Sequence, residues 1–221
     1  MMPLGIDPHA IIIQNTLDLV FPVTGNTLPY QQGYSLFSAI CRQIPELHNP
    51  DIQYRMNSIP LVKTKQRTLW GKISEQATLR FRFQVKDLPY FLCLTGRTLD
   101  IDGHLLHVGM PRSYRLRSAS TLLSRIVVIK GFLEPDAFQK AAERQLAELG
   151  IQGRVLLVPN AESKVKPRVL TIKDKRVVGF SVAITDLNGE DSLKLQAFGI
   201  GGRGKFGAGY FHAIRLRSVA L

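Results

Sequence analysis

Only two cysteines occur in 221 residues, so a disulfide framework is excluded. Cys41 and Cys93 both sit in apolar stretches without metal-ligand spacing. They read as buried, reduced thiols of a cytoplasmic protein. No apolar run reaches the ~18 residues of a membrane span. The start "MMPLGIDPHAIII" lacks a basic segment followed by a long apolar one, so no secretory signal is expected. The five histidines form no tight group with Cys, Asp or Glu, so neither metal nor cofactor is expected. "DID" at 100–102, with both carboxylates on one strand face, is too sparse a metal site. Intrinsic disorder is excluded by a hydrophobic content of 45%.

Acidic residues are also scarce. Seventeen Asp and Glu face 29 Lys and Arg, a net charge of +12, which points to a polyanionic partner. The imbalance is clustered. From Gln53 to Lys86 there are eight basic residues and one acid, Glu75; from Arg112 to Lys130, five and none. From Lys164 to Arg176 there are six against Asp174, and from Arg203 to Arg217 four and none. The acids gather instead in 134–148 and 186–191. This one-sided arrangement describes a binding face rather than a mixed solvated surface.

What the chain does have is a repeated order of elements. "TLDLVFPV" (16–23) is a strand, and "GYSLFSAICRQI" (33–44) sets Leu36, Phe37, Ile40, Cys41 and Ile44 on one helix face. "YRMNSIPLVK" (54–63) and "LRFRFQV" (79–85) read as strands. In the second, Leu79, Phe81, Phe83 and Val85 alternate with Arg80, Arg82 and Gln84. A short helix, "KDLPYFLCLTG", and a strand or hairpin, "LDIDGHLLHVG", complete β-α-β-β-α-β. The order then recurs. "LLSRIVVIKG" is a strand, and "EPDAFQKAAERQLAELG" is a helix with Pro135 near its start and Gly150 as its stop. "RVLLVP" is a strand, "KVKPRVLTIK" and "RVVGFSVAITD" a hairpin, "EDSLKLQAF" a helix and "GYFHAIRLRSV" a closing strand. Two such units predict an α+β protein of two tandem ferredoxin-like (βαββαβ) domains, 1–120 and 121–221.

The strongest local feature is "GIGGRGKFGAGYF" (199–211), which holds six of the 18 glycines within eleven positions. Gly199, Gly201 and Gly204 satisfy G-x-G-x-x-G, and Gly199 to Lys205 satisfy G-x-x-x-x-G-K. Both phosphate-binding templates need a strand before the loop and a helix after it. Here a helix precedes and a strand follows, and Phe206 stands where a Mg²⁺-binding Ser or Thr belongs. A nucleotide site is therefore rejected. A plain turn needs one or two glycines. Six, with Arg203 and Lys205, suit a backbone that closely approaches a phosphate-bearing ligand.

G-h-G, five residues and G-x-G before the last strand stand here as Gly199-Ile200-Gly201 and Gly207-Ala208-Gly209. This pattern resembles the glycine-rich loop of the RAMP superfamily of CRISPR-associated proteins. Within it, the tandem domains, the length and the C-terminal loop resemble the CRISPR repeat endoribonucleases that mature guide RNA. "SRIVVIKGFLEPDAFQKAAERQLAELGI", "IKDKRVVGFSV" and "EDSLKLQAFGIGGRGKFGAGYF" are similar to the type I Myxan subgroup. The likeness covers the C-terminal half by sequence and the N-terminal half by pattern.

The resemblance implies metal-independent cleavage of repeat RNA: a 2′-OH attacks the adjacent phosphate and leaves a 2′,3′-cyclic phosphate. Such an enzyme stays bound to its product and joins other subunits of a type I effector complex. That reaction needs a base, an acid and a cation. His48 is the first catalytic candidate, because family members carry a histidine in or just after the first helix; a helix-end histidine capping carbonyls is the structural alternative. His212, beside the loop, is the second candidate. Tyr34 or Tyr30 would orient the 2′-OH or phosphate, and Lys63 or Lys65 would stabilise it. The RNA-binding set is Gly199, Gly201, Gly202, Arg203, Gly204, Lys205, Gly207 and Gly209 in the loop. To it belong Arg168, Lys173, Lys175 and Arg176 on the hairpin, and Arg115, Arg117 and Arg125 near the domain junction. Arg115 and Arg117 are expected on one strand face. A non-catalytic RAMP scaffold coating guide RNA is the alternative function.

Overall fold

Alternation in "TLDLVFPVTG" makes β1 (Thr16–Gly25), which buries Leu19, Phe21 and Val23. The structure, a computed structural model, describes residues 8–62, 68–159 and 163–214. Lys63, Lys65, Arg215 and Arg217 lie outside the described residues. A short helix α1 (Pro8–Gln14) precedes β1, and β2 (Thr27–Pro29) follows it. Helix α2 (Gln32–Gln43) buries Leu36, Phe37, Ala39 and Ile40 and ends in a 3₁₀ turn, Pro45–His48. Then come β3 (Tyr54–Met56), β4 (Leu61–Val62), β5 (Trp70–Ile73) and β6 (Thr78–Gln84). Helix α3 (Leu88–Leu92), the hairpin β7 (Thr98–Ile101) and β8 (His104–Val108), and β9 (Arg112–Arg115) complete the first half.

Strand β1 is central. It pairs antiparallel with β6 along one edge, and β6 carries β3. Its other edge is shared: β9 pairs with Leu17–Val20 and β8 with Val23–Gly25. Strands β2, β5 and β4 form a separate three-stranded sheet. The apolar face of the main sheet builds a core around Phe21, Leu36, Ile40, Phe81 and Phe91.

The second half repeats the plan with β10 (Leu122–Val127), α4 (Pro135–Glu148), β11 (Arg154–Leu157), β12 (Arg168–Ile172), β13 (Lys175–Thr185), α5 (Gly189–Phe198) and β14 (His212–Ala213). The order is β11-β13-β10-β14, with β12 on the outer part of β13. In both sheets the first strand of the unit pairs with the strand before the second helix, the ferredoxin-like arrangement. Asn188 caps α5 by accepting from the Asp191 N–H at 2.8 Å. The second core gathers Phe138, Phe180, Val182, Leu195 and Phe211. Register slips between Ser124 and Val127 of β10, a bulge that turns exposed Arg125 outward.

The Arg82 side of β6 is covered by the second half, which leaves Arg82 3% exposed. Several expectations need correction. Val85 lies past the end of β6 and is exposed, off the face it was expected to share with Phe81 and Phe83. Cys93, just past the end of α3, is exposed, and Cys41 on α2 is half-buried. Asp102 falls past the end of β7, in a left-handed turn, so it shares no strand face with Asp100. Arg117 likewise lies beyond β9 and shares no strand face with Arg115. The segment 54–63 divides into β3 and β4, which pair in different sheets.

Candidate nucleic-acid interface and active site

The C-terminal end of α5 leads into the glycine loop, which wedges between the two halves. Its backbone is tied first to its own half. The Gly202 and Gly209 N–H groups donate to the Val128 and Ile126 carbonyls at 2.9 and 2.8 Å, and the Gly201 N–H donates to the Gln145 carboxamide at 2.7 Å. Ala208 packs with Ile126, Val128 and Leu170 in a small third core, with Phe206 at its edge.

Two arginines from the first half then cap the loop. Arg55 donates from Nη2 to the Phe198 carbonyl at 2.6 Å and from Nη1 to the Ala208 carbonyl at 3.4 Å. Arg82 donates to the Gln196 carbonyl at 3.1 Å and the Phe211 carbonyl at 2.6 Å, and pairs with Asp18 at 2.7 Å. Its guanidinium lies 4.5 Å from the centre of the Tyr210 ring. Cations at the carbonyl end of α5 also complement its macrodipole. Burial, and then the neighbouring Arg82, lowers Arg55 to about 10, which leaves it charged at neutral pH. The glycines make this approach possible. Gly209 has φ +64, and a Cβ there would stand 2.5 Å from Arg55 Nη1.

The 3₁₀ turn Gly204–Phe206 packs against the first turns of α2 and against the 3₁₀ turn that follows that helix. Phe206 meets Phe37 edge-on at 4.8 Å and Tyr34 at 6.0 Å, and Phe37 lies 5.8 Å from the His48 ring. Lys205 Nζ donates to the Leu47 carbonyl at 3.1 Å and the Asn49 carbonyl at 2.6 Å, while lying 4.9 Å from the Tyr54 ring centre. Burial depresses this ammonium, opposed by the negative charge Cys41 carries when ionised.

A cleft of about 840 Å³ opens here between the halves. Tyr34, His48, Lys173, Arg203 and the glycine turn line it. His48 and Arg203 are exposed; Lys173 (φ +52) and Arg203 (φ +69) hold left-handed turn conformations. A smaller cleft of about 200 Å³ is lined by Tyr30, Ser58, Arg125 and Arg168. Although Arg125 keeps exposed surface, its partial desolvation in this cleft and then the adjacent Arg168 lower it. Tyr30 is thus apart from Tyr34 and His48. His212 lines neither cleft; on β14 it is opposite Leu123, where desolvation and the Arg80 and Arg82 cations depress its imidazole. Lys175 and Arg176 are exposed at the tip of the β12–β13 hairpin, and Arg115 and Arg117 are exposed and line neither cleft.

Sequence reasoning did not single out Arg55, Arg82 or Phe206. A partial signal existed: Asp18 is the lone acid in β1, and the register pairs it with Arg82. Phe206 was noted only for not being Ser or Thr.

The family model described as Cas6 Crispr matches residues 17–215. The chain belongs to the Cas6 family. A CRISPR-associated endonuclease Cas6 of Myxococcus xanthus (strain DK1622) is 33% identical over 196 residues, which cover 88% of this chain and 80% of that protein. Among solved structures, a Cas6-related protein from Pyrococcus furiosus superposes with a TM-score of 0.66 at 16% identity, covering 91% of this chain and 100% of that one. Thermus thermophilus Cse3, solved bound to an RNA representing a pre-cleavage complex, superposes at 0.51 with 11% identity, covering 90% and 98%. At these identities the Cas6-family likeness concerns the fold, two tandem ferredoxin-like domains. Among the described residues, no helix is long and apolar enough to cross a membrane.

Proposed function

We propose that this Cas6-family chain is a metal-independent endoribonuclease that binds and cleaves CRISPR repeat RNA to mature guide RNAs. The observation that carries this reading is that Tyr34, His48, Lys173 and Arg203 line one cleft between the halves. The substrate 2′-oxygen bonds to phosphorus as the P–O5′ bond breaks, giving a 2′,3′-cyclic phosphate and a 5′-OH. His48 takes the 2′-OH proton or supplies one to the departing O5′, since an imidazole can serve as general base or general acid. Arg203 and Lys173 offset the charge that grows on the phosphate oxygens. Tyr34 orients the 2′-OH or the phosphate. His212 has a weaker claim, because it is not among the residues that line that cleft.

The repeat stem is held by its phosphates along Lys173, Lys175 and Arg176, since an A-form stem is read mostly by shape and backbone. Arg125, Arg168 and Tyr30 hold a further phosphate in the smaller cleft, whose described lining residues include no acid. Arg115 and Arg117 extend the basic surface near the junction. We take 1–120 and 121–221 as the two units. The product remains bound and is presented to other subunits of a type I effector complex.

The test is incubation of the protein with its CRISPR repeat RNA in EDTA. One cleavage position with a cyclic-phosphate end supports the reading. Tight binding without cleavage would favour the non-catalytic scaffold. His48→Ala should abolish single-turnover cleavage and leave binding intact.

A further inference from the structure

Lys205 had been expected to touch the RNA backbone, and its surroundings argue for a different task. An ammonium has three N–H bonds. Two of them go to the carbonyls of Leu47 and Asn49, the residues on either side of His48. The same ammonium lies against the Tyr54 ring at 4.9 Å. Those carbonyls belong to the carboxyl end of the 3₁₀ turn Pro45–His48, where a cation complements the exposed C=O groups. The next residue, Phe206, packs on Phe37, whose ring is in turn 5.8 Å from the imidazole. Consecutive loop residues therefore grip the His48 segment by its backbone and by its aromatic neighbour. The loop itself is anchored by Arg55 to the same half of the molecule.

We infer that Lys205 is a positioning residue: it fixes the backbone on both sides of His48 and thereby sets where the imidazole points into the cleft. The inference rests on the catalytic assignment of His48 and concerns the same site. It gives the glycine loop a second use. Its glycines bring the chain close to the first half, and its Lys-Phe pair transmits that placement to the imidazole.

A backbone contact to RNA and a positioning role leave different signatures. The probe is 5′-labelled repeat RNA in EDTA, with the protein in saturating excess for rates and titrated across salt for affinity. Lys205→Met keeps the side-chain stem and removes the ammonium. It should slow single-turnover cleavage by about a hundredfold, the effect of misplacing a catalytic group by about 1 Å. Affinity and its salt dependence should not change. Lys205→Arg should recover part of the rate, because a guanidinium also reaches two carbonyls. Weakened affinity with a salt slope reduced by about one would overturn the inference and return Lys205 to the RNA contacts. An unaltered rate would also overturn it.

A second measurement needs no substrate. In ¹H–¹³C spectra, the His48 ring resonance, assigned by its loss in His48→Ala, should move in Lys205→Met and return toward the parent position in Lys205→Arg. An unmoved resonance overturns the inference while leaving the catalytic reading untouched. Undiminished cleavage by His48→Ala removes the catalytic reading itself, whatever Lys205 does. Should Lys205→Met fail to fold, Lys205→Gln, which keeps a neutral donor, takes its place in both measurements.

Discussion

Replacing Arg82 with Met tests the central claim about how the two halves are held. The side chain is 2% exposed and makes a bidentate pair with Asp18, Nε–Oδ1 at 2.7 Å and Nη2–Oδ2 at 2.8 Å. Its remaining nitrogen donates to the Gln196 and Phe211 carbonyls of the second half. Methionine fills much of the volume but removes the guanidinium's donors to the Asp18 carboxylate and to both carbonyls. Breaking a buried pair from one side costs about 3–5 kcal/mol, because a charge stays behind unpaired. At about 2–4 °C per kcal/mol for a chain of this size, the melting temperature should fall by roughly 10 °C. Urea unfolding gives the free energy directly. Arg144→Met, which removes an exposed i,i+4 pair with Glu148 at 3.6 Å, is the control and should change stability by less than about 0.5 kcal/mol. The double variant Asp18→Leu with Arg82→Met should regain most of the loss, since two apolar residues leave no orphaned charge. If Arg82→Met costs under about 1 kcal/mol, the guanidinium does not latch the halves together.

Gly33→Ala should lower both thermal stability and single-turnover cleavage, because a Cβ at the start of α2 would collide with the Phe206 carbonyl and lift the loop from α2. Unchanged melting would mean that α2 and the loop are not in firm contact. Burial pushes the Tyr210 hydroxyl up to about 12, with Arg82 pulling the other way. The folded state thus keeps a proton that the unfolded chain releases near 10.0, so stability should fall as pH rises between those values. Tyr210→Phe should flatten that decline, read by urea unfolding across alkaline pH; an unchanged slope would refute it. Tyr54, also raised by burial and by Cys41, will leave a residual slope.

The fold was largely legible because strand and helix periods report local burial. "TLDLVFPV" and "GYSLFSAICRQI" each pack one face on a core, and the β-α-β-β-α-β order leaves few topologies. The loop was legible through its glycine spacing, which backbone geometry dictates. Alternation put Arg82 on the face opposite the core, but nothing local says that this face is covered by the other half instead of water. Asp102 and Arg117 failed through element boundaries set by hydrogen bonding rather than by side-chain pattern.

Sequence alone determined the two-unit plan, the basic surface, the membership suggested by the loop and a short list of candidate histidines and tyrosines. Only the tertiary structure grouped them. It joined Tyr34 and His48 to the loop in one cleft, sent Tyr30 to another with Arg125 and Arg168, and turned Lys205 onto the carbonyls beside His48. The reason is physical. Residue type and spacing fix what a segment can do locally, whereas which cation meets which carbonyl 156 or more positions away is decided by how the two halves pack.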